Sequence, residues 1–219
     1  MNREFLILRL QGVMQSWGGH TYEDYRPSMI FPTRSALVGL LAACLGIERI
    51  DSKKQKALSE SFRYAVRSDE MRYPIRKLTD FHTVLEARKA DGSVNKNPVV
   101  SRREYLCDAS FTVALHLTEK PAFTMDDLII AVRKPVYTPF LGRRSCPLSV
   151  PLFHSRIEGV SFLDALDKVE PYRGTVYSED AEGSINRYVV RDVPLCNGRR
   201  QFVNRTVYIH APGGSNADQ

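Results

Sequence analysis

The chain has 219 residues, 43% hydrophobic and 26% charged, with a formal net charge of +6. That length can bury one core, or two small ones. No run reaches the roughly 18 apolar residues a membrane helix needs, and Met1–Leu10, interrupted by Arg9, lacks a signal-peptide cleavage pattern, so a cytoplasmic location is expected. The four cysteines form no C-x-x-C pair and the five histidines no H-x-x-x-H pair, so neither metal, cofactor nor redox chemistry is expected.

Phe5–Leu10 is short and apolar and predicts a buried first strand. The long segment 11–32 predicts an irregular loop, the kind of connection that often carries function. It holds Gln15, Ser16, Trp17 and Arg26, and Trp17 suits either base stacking or a core anchor. Thr33 then caps a helix in which Leu37, Val38, Leu40, Leu41, Cys44 and Leu45 have helical spacing, ended by Gly46. Thr33, Arg34 and Ser35 lie at its N-terminus, where unpaired N–H groups and the macrodipole favour a phosphate; the plainer reading is an ordinary cap beside a solvated arginine. A polar helix at Ser52–Ser61 and a strand at Phe62–Arg67 follow.

Residues 73–104 are basic and poor in large aliphatics, and Asp91-Gly92 signals a hairpin turn, which predicts an inserted, protruding β-hairpin arm. Arg102, Arg103 and Tyr105 sit at its base, a cation-and-ring cluster that suits RNA or a solvated strand face equally. Cys107–Leu117 predicts one strand, with Ala109, Phe111, Val113, Leu115 and Leu117 on one face and His116 on the other, toward solvent. Thr124–Asp127 is a capping-box start, and Met125, Leu128, Ile129 and Val132 stripe the helix behind it. Beyond Pro151 come a helix near Ser161–Val169, two or three β segments, and a polar tail at 212–219 expected to be disordered. The order β, α, (α), β, arm, β, α predicts an α+β fold of the ferredoxin-like, RNA-recognition type over 1–150, with a small β-rich region at 151–211. The aromatic motif that makes an RNA platform of such a sheet is missing, so loops and arm would have to hold any RNA.

The segment Tyr137–Leu148, Y-T-P-F-L-G-R-R-S-C-P-L, is the most informative. Pro139 and Pro147 make it a stiff loop, Gly142 permits a tight turn, and Tyr137 and Phe140 offer rings beside Leu141, Arg143 and Arg144. From Arg133 to Arg156 there are five lysines and arginines and no acid; from Glu158 to Glu182 there are seven acids and two bases. An acid-free loop with paired arginines suits a phosphate backbone and unstacked bases, while a solvated turn paired with the protein's own carboxylates is the plain alternative. Charge alone would equally fit a ribosomal or tRNA-binding protein.

This loop resembles a signature of the CasD family, subunits of Cascade, the CRISPR surveillance complex of subtype I-E. So do L-I-L-R-L-Q-G-V-M-Q-S-W-G (Leu6–Gly18), F-P-T-R-S-A-L-V-G-L-L-A-A-C-L-G (Phe31–Gly46), R-E-Y-L-C-D-A-S-F-T-V-A-L (Arg103–Leu115) and, more weakly, R-Q-F-V-N-R (Arg200–Arg205). The resemblance implies a non-catalytic RNA-binding subunit of a ribonucleoprotein complex in antiviral defence. It would hold the 5′ handle of mature CRISPR RNA and cap the backbone filament. Its partners would be CRISPR RNA and the backbone, large and RNA-processing subunits, with target DNA met only through the complex and no membrane involved. The resemblance also favours phosphate contact at Thr33–Ser35. In a related subtype the equivalent subunit cuts precursor RNA, so a metal-independent ribonuclease using His82, His116 and Tyr105 is one alternative, although no acid–base pair has motif-like spacing. A generic RNA-binding protein is another.

Overall fold

The computed structural model describes residues 2–89, 91–196 and 201–212; the tail expected at 212–219 lies outside them except for its first residue. Continuous runs of buried side chains in Arg3–Gln11 (β1), Phe62–Asp69 (β6) and Ser110–Leu117 (β9) build the centre of an antiparallel sheet, with Phe153–Gly159 (β10) on the far side of β1. The helices Arg34–Leu45 (α1) and Met125–Arg133 (α3) lie in the β1-to-β6 and β9-to-β10 connections, and Ser52–Glu60 (α2) follows α1. The spatial order of these four strands is β10-β1-β9-β6, every pair antiparallel. Beyond β6 the sheet continues through Gly174–Ser178 (β11), Phe202–His210 (β13) and Asn186–Pro194 (β12). The region 151–211, read from the sequence as a small β-rich region, thus supplies four of this sheet's seven strands among the described residues and flanks the centre on both sides.

One face of the centre presents Leu6, Leu8, Leu10, Phe111, Val113 and Leu115 to α1 and α3. α3 starts with a complete capping box, Thr124 and Asp127 each satisfying the other's backbone N–H, and Arg133 lies at its negative end. α1 stops at Gly46, whose φ of 73° lets its N–H reach the Ala43 carbonyl at 3.2 Å. The opposite face presents Phe5, Ile7, Ala65 and Ala114 to a short helix, Phe162–Asp167 (α4), through Phe162, Ala165 and Leu166. Beside them Arg67 and Asp69 form a fully buried ion pair at 2.8 Å. Ser110 and Thr112 hydroxyls donate to the same carboxylate, and Arg67 donates to the Leu166 carbonyl, so both charges are satisfied.

Two sequence expectations change here. Cys107–Leu117 is not one strand: Asp108 takes a φ of 54°, so Val99–Cys107 (β8) ends and β9 begins in a different sheet. His116 does not face solvent, because α4 covers that face; its ring packs 5.6 Å from Phe5 and 5.0 Å from Phe162. The arm is the pairing of Arg76–Val84 (β7) with β8, in register from Arg76↔Cys107 to Val84↔Val99. β7 is exposed almost throughout, and Gly92, at a φ of 84°, turns the tip.

Burial lowers the His116 pKa below the ordinary histidine value. The unfolded chain therefore takes up a proton that the folded one resists, and the stability contributed above the ordinary pKa is lost as pH falls. His116→Phe should make the decline in urea-unfolding stability between about pH 7.5 and about pH 5.5 shallower than in the parent. His154, also lowered by burial, is present in both proteins and cancels in the comparison. Equal slopes would show that His116 is not held neutral.

Candidate nucleic-acid interface

The arginine loop is anchored from both sides. The Val136 and Tyr137 N–H groups donate to the Cys44 and Ala43 carbonyls at 3.0 and 3.1 Å, satisfying the exposed end of α1. Further on, the Leu141 N–H donates to the Cys146 carbonyl and the Cys146 N–H to the Arg143 carbonyl, both at 2.8 Å, closing a tight turn on the fully buried Leu141 side chain. The Ser16 N–H donates to the Leu141 carbonyl at 3.0 Å, and the Ser149 N–H to that of Gln11 at 2.8 Å. Gly142 is required twice over: its φ is 85°, and a Cβ there would lie 1.8 Å from the Ser16 carbonyl oxygen.

Segment 11–32 is less irregular than expected. Met14–Gln15 (β2) and Tyr25–Arg26 (β4) pair with β8, and Trp17–Gly18 (β3) pairs with Ser28–Met29 (β5). The Gln15 amide donates to the Leu10 and Ala109 carbonyls, at 3.1 and 2.6 Å, and Ser16 Oγ to the Glu104 carbonyl at 3.0 Å. The Glu104 carboxylate accepts from the Tyr25 hydroxyl, from the Ser28 N–H at 3.0 Å and from Lys77 Nζ at 3.2 Å. Burial pushes the Glu104 pKa up, but those donors outweigh it and hold the carboxyl below its usual range, while its proximity raises the Tyr25 hydroxyl.

Arg143 lies across this assembly, its guanidinium 4.6 Å from the Tyr105 ring centroid and Nη2 donating to the Arg26 carbonyl at 3.2 Å. Arg26 turns back on the Glu23 and Tyr25 carbonyls. Arg102 pairs with Asp24 through Nε and Nη2, both at 3.2 Å, and Arg103 donates to Ser101 Oγ. Arg144 is exposed. The fold therefore gathers Gln15, Ser16, Trp17, Arg26, Arg102, Arg103, Tyr105, Leu141, Gly142, Arg143 and Arg144 around the base of the arm. Tyr137 sits apart, half exposed over the end of α1, and Thr33–Ser35 lie at the helix's other end.

Several roles given to these residues need correction. Trp17 is fully buried and edge-on to Phe111, so it anchors the core and offers no face to a base. Gln15, Ser16, Tyr105 and Leu141 are likewise buried and shape the site from beneath. The phosphate reading at α1 fails because the protein supplies its own anion: Asp192 of β12 accepts the Arg34 N–H at 2.8 Å. The Arg34 side chain turns inward to Glu179 at 2.7 Å and to the Ser59 and Phe62 carbonyls. Thr33 makes no side-chain cap, its hydroxyl lying 3.3 Å from that of Ser35. Arg205 joins this internal network at 2.7 Å from Asp192. His82 pairs with Asp80 on the arm while His116 is buried under α4, so the fold does not bring these two together. The sequence reading missed Glu104 and Tyr25, whose partnership spans 79 residues and leaves no local signal.

Residues 5–208 match the family model described as CRISPR-associated protein (Cas_Cas5). The chain is 46% identical over 224 aligned positions to the CRISPR system Cascade subunit CasD of Escherichia coli (strain K12), covering 99% of this chain and all of that one. A solved chain from a CRISPR RNA-guided surveillance complex superposes with a TM-score of 0.70 at 26% identity, covering 98% of this chain and 95% of that one. Another, described as a Cas protein, superposes with a TM-score of 0.66 at 27% identity, covering 94% and 93%. The chain belongs to the CasD family of CRISPR-associated proteins (Cas_Cas5).

Proposed function

We propose that this Cascade subunit binds CRISPR RNA without cutting it, holding the 5′ handle and capping the backbone filament in the cytoplasm. The observation that carries this reading is the docking of the arginine loop against segment 11–29 and the arm base. It gathers Arg26, Arg102, Arg103, Arg143 and Arg144 around the arm base on a rigid support. An arginine cluster on such a support suits a phosphate backbone, whose contacts position an RNA without reading its sequence; target sequence is then read by base pairing. We read the core as ferredoxin-like, on the support of the β10-β1-β9-β6 order with α1 and α3 in its crossovers. α4 lies over the centre of the sheet's other face, which favours loops over the sheet as the RNA support.

Replacing Arg143 and Arg144 together by Ala should leave the global fold intact and lower affinity for a handle oligonucleotide. One charge-assisted contact is worth roughly 1.5–3 kcal/mol, so the loss should be about tenfold or more. Fluorescence anisotropy with handle and scrambled RNAs of equal length checks it. Unchanged binding by a folded double mutant would sink the clamp, and equal affinity for the two RNAs would favour a generic RNA binder.

The ribonuclease alternative gains no support from two histidines that do not meet. Labelled repeat RNA incubated with the protein should remain whole, with or without Mg²⁺. A discrete product abolished by His82→Ala or His116→Ala would reverse this reading.

The arm is proposed to reach over the guide to the first backbone subunit. Because Lys77 and Glu104 tie its base to the loops, the excision that tests it is confined to residues 82–101, bridged by a short Gly-Ser linker. That segment is largely exposed, and loop closure costs little, so the melting temperature of the subunit should hold while capture of the backbone subunit in a pulldown drops. Normal assembly would remove the bridging role.

A further inference from the structure

The two arginines that look equivalent in the sequence are held in opposite ways. Arg143 is half buried: it lies on the Tyr105 ring, donates to the Arg26 carbonyl, and has its Nη1 enclosed without a hydrogen-bond partner among the described residues. Arg144 is exposed, and no described residue accepts a hydrogen bond from its side chain or pairs with it. The turn before them packs closely on segment 11–18, since Gly142 leaves no room for a Cβ beside the Ser16 carbonyl and takes a φ that favours glycine.

Both surfaces under Arg143 are set by one carboxylate. Glu104 precedes Tyr105 on β8, and its donors Tyr25 and Ser28 bracket Arg26. Lys77 fastens the same carboxylate to β7, and the Glu104 carbonyl holds Ser16, whose N–H in turn holds Leu141. Removing the Glu104 charge would loosen the ring and the carbonyl that Arg143 rests on, at once.

From this geometry we propose a division of labour. Arg143 is a positioning residue, fixed by Glu104 through Tyr105 and Arg26, and Arg144 is the residue that meets an RNA phosphate. The assignment rests on the handle-binding reading above. A phosphate that recruited Arg143 would have to pull it from its ring and its carbonyl, whereas Arg144 has no partner among the described residues to give up. The Arg143 seat combines a flat guanidinium over the Tyr105 ring with one N–H donated to the Arg26 carbonyl, a planar fit that a lysine lacks, while a phosphate accepts a lysine as a point charge.

The test measures affinity of the full chain for a handle RNA oligonucleotide across a KCl series, with a thermal melt of each variant. Arg144→Ala should lower affinity about tenfold and reduce the slope of log affinity against log salt by about one contact, without changing the melt. Arg144→Lys should recover part of that loss. Arg143→Ala should lower affinity with the parent's salt slope, and Arg143→Lys should recover none of it. Glu104→Gln should add little to Arg143→Ala but its full effect to Arg144→Ala, as residues acting in series do. If Arg143→Ala destabilises the chain, Arg143→Lys, which keeps the charge and most of the stem, carries the comparison. Lysine rescue at position 143, a salt slope that falls equally for both alanine variants, or full additivity of Glu104→Gln with Arg143→Ala would overturn the assignment alone. Undiminished affinity in every variant would overturn it together with the handle-binding reading beneath it.

Discussion

Burial of β1 and β9 on both faces governs everything else in this molecule. Leucines and Phe111 take the α1 and α3 side, and Phe5, Ile7 and Ala114 take the α4 side. The centre of the sheet, which an RNA-recognition fold would leave open, is thereby spent on packing. Any polar work must be done at the ends of the strands, where the chain leaves the sheet. There the connections after β1, after α3 and at the foot of the arm meet, and buried side chains such as Trp17, Leu141 and Leu106 give them a floor. A loop on such a floor has few conformations to lose when it meets a ligand, so less binding energy goes into ordering it.

Internal carboxylates complete the job. Asp192 occupies the positive end of α1, Asp69 neutralises Arg67 within the core, and Glu104 ties the β4–β5 loop to the arm. Each anion sits where two or more donors would otherwise be buried unpaired, the costliest error a core can contain. A basic chain thus turns some of its arginines inward as structure, each matched by an inward acid, so those arginines are not available to an anionic ligand.

Local chemistry was legible in the sequence. The Gly46 stop, the Thr124–Asp127 capping box, the Gly92 turn and the rigid arginine loop all follow from a few neighbouring residues, and the structure contains each of them. The family blocks held all but Arg26 and Arg102 of the candidate residues that the fold gathers around the arm base. What stayed hidden was which side chains point inward. A stacking role for Trp17 and a phosphate contact at Arg34 stayed open in the sequence because their covers, Phe111 and the acids Glu179 and Asp192, lie far along the chain. His116 read as solvent-facing because α4 had no pattern tying it to that face. Periodicity reports which residues share a face, and not what later segment comes to lie on it.

The cap on α1 has a consequence in time as well as space. Arg34 and Asp192 are 158 residues apart, and Arg205, which steadies the same carboxylate, comes later still. During synthesis α1 emerges early with its N-terminus uncapped and the Arg34 guanidinium without its acids. Contacts of such long sequence separation form late and slow the approach to the native state, and a nascent chain in that interval exposes unfinished surface to misassembly. A chain cut short before β12 and β13 would carry the arginine loop but lack both the anion at the α1 N-terminus and the Arg205 that steadies it.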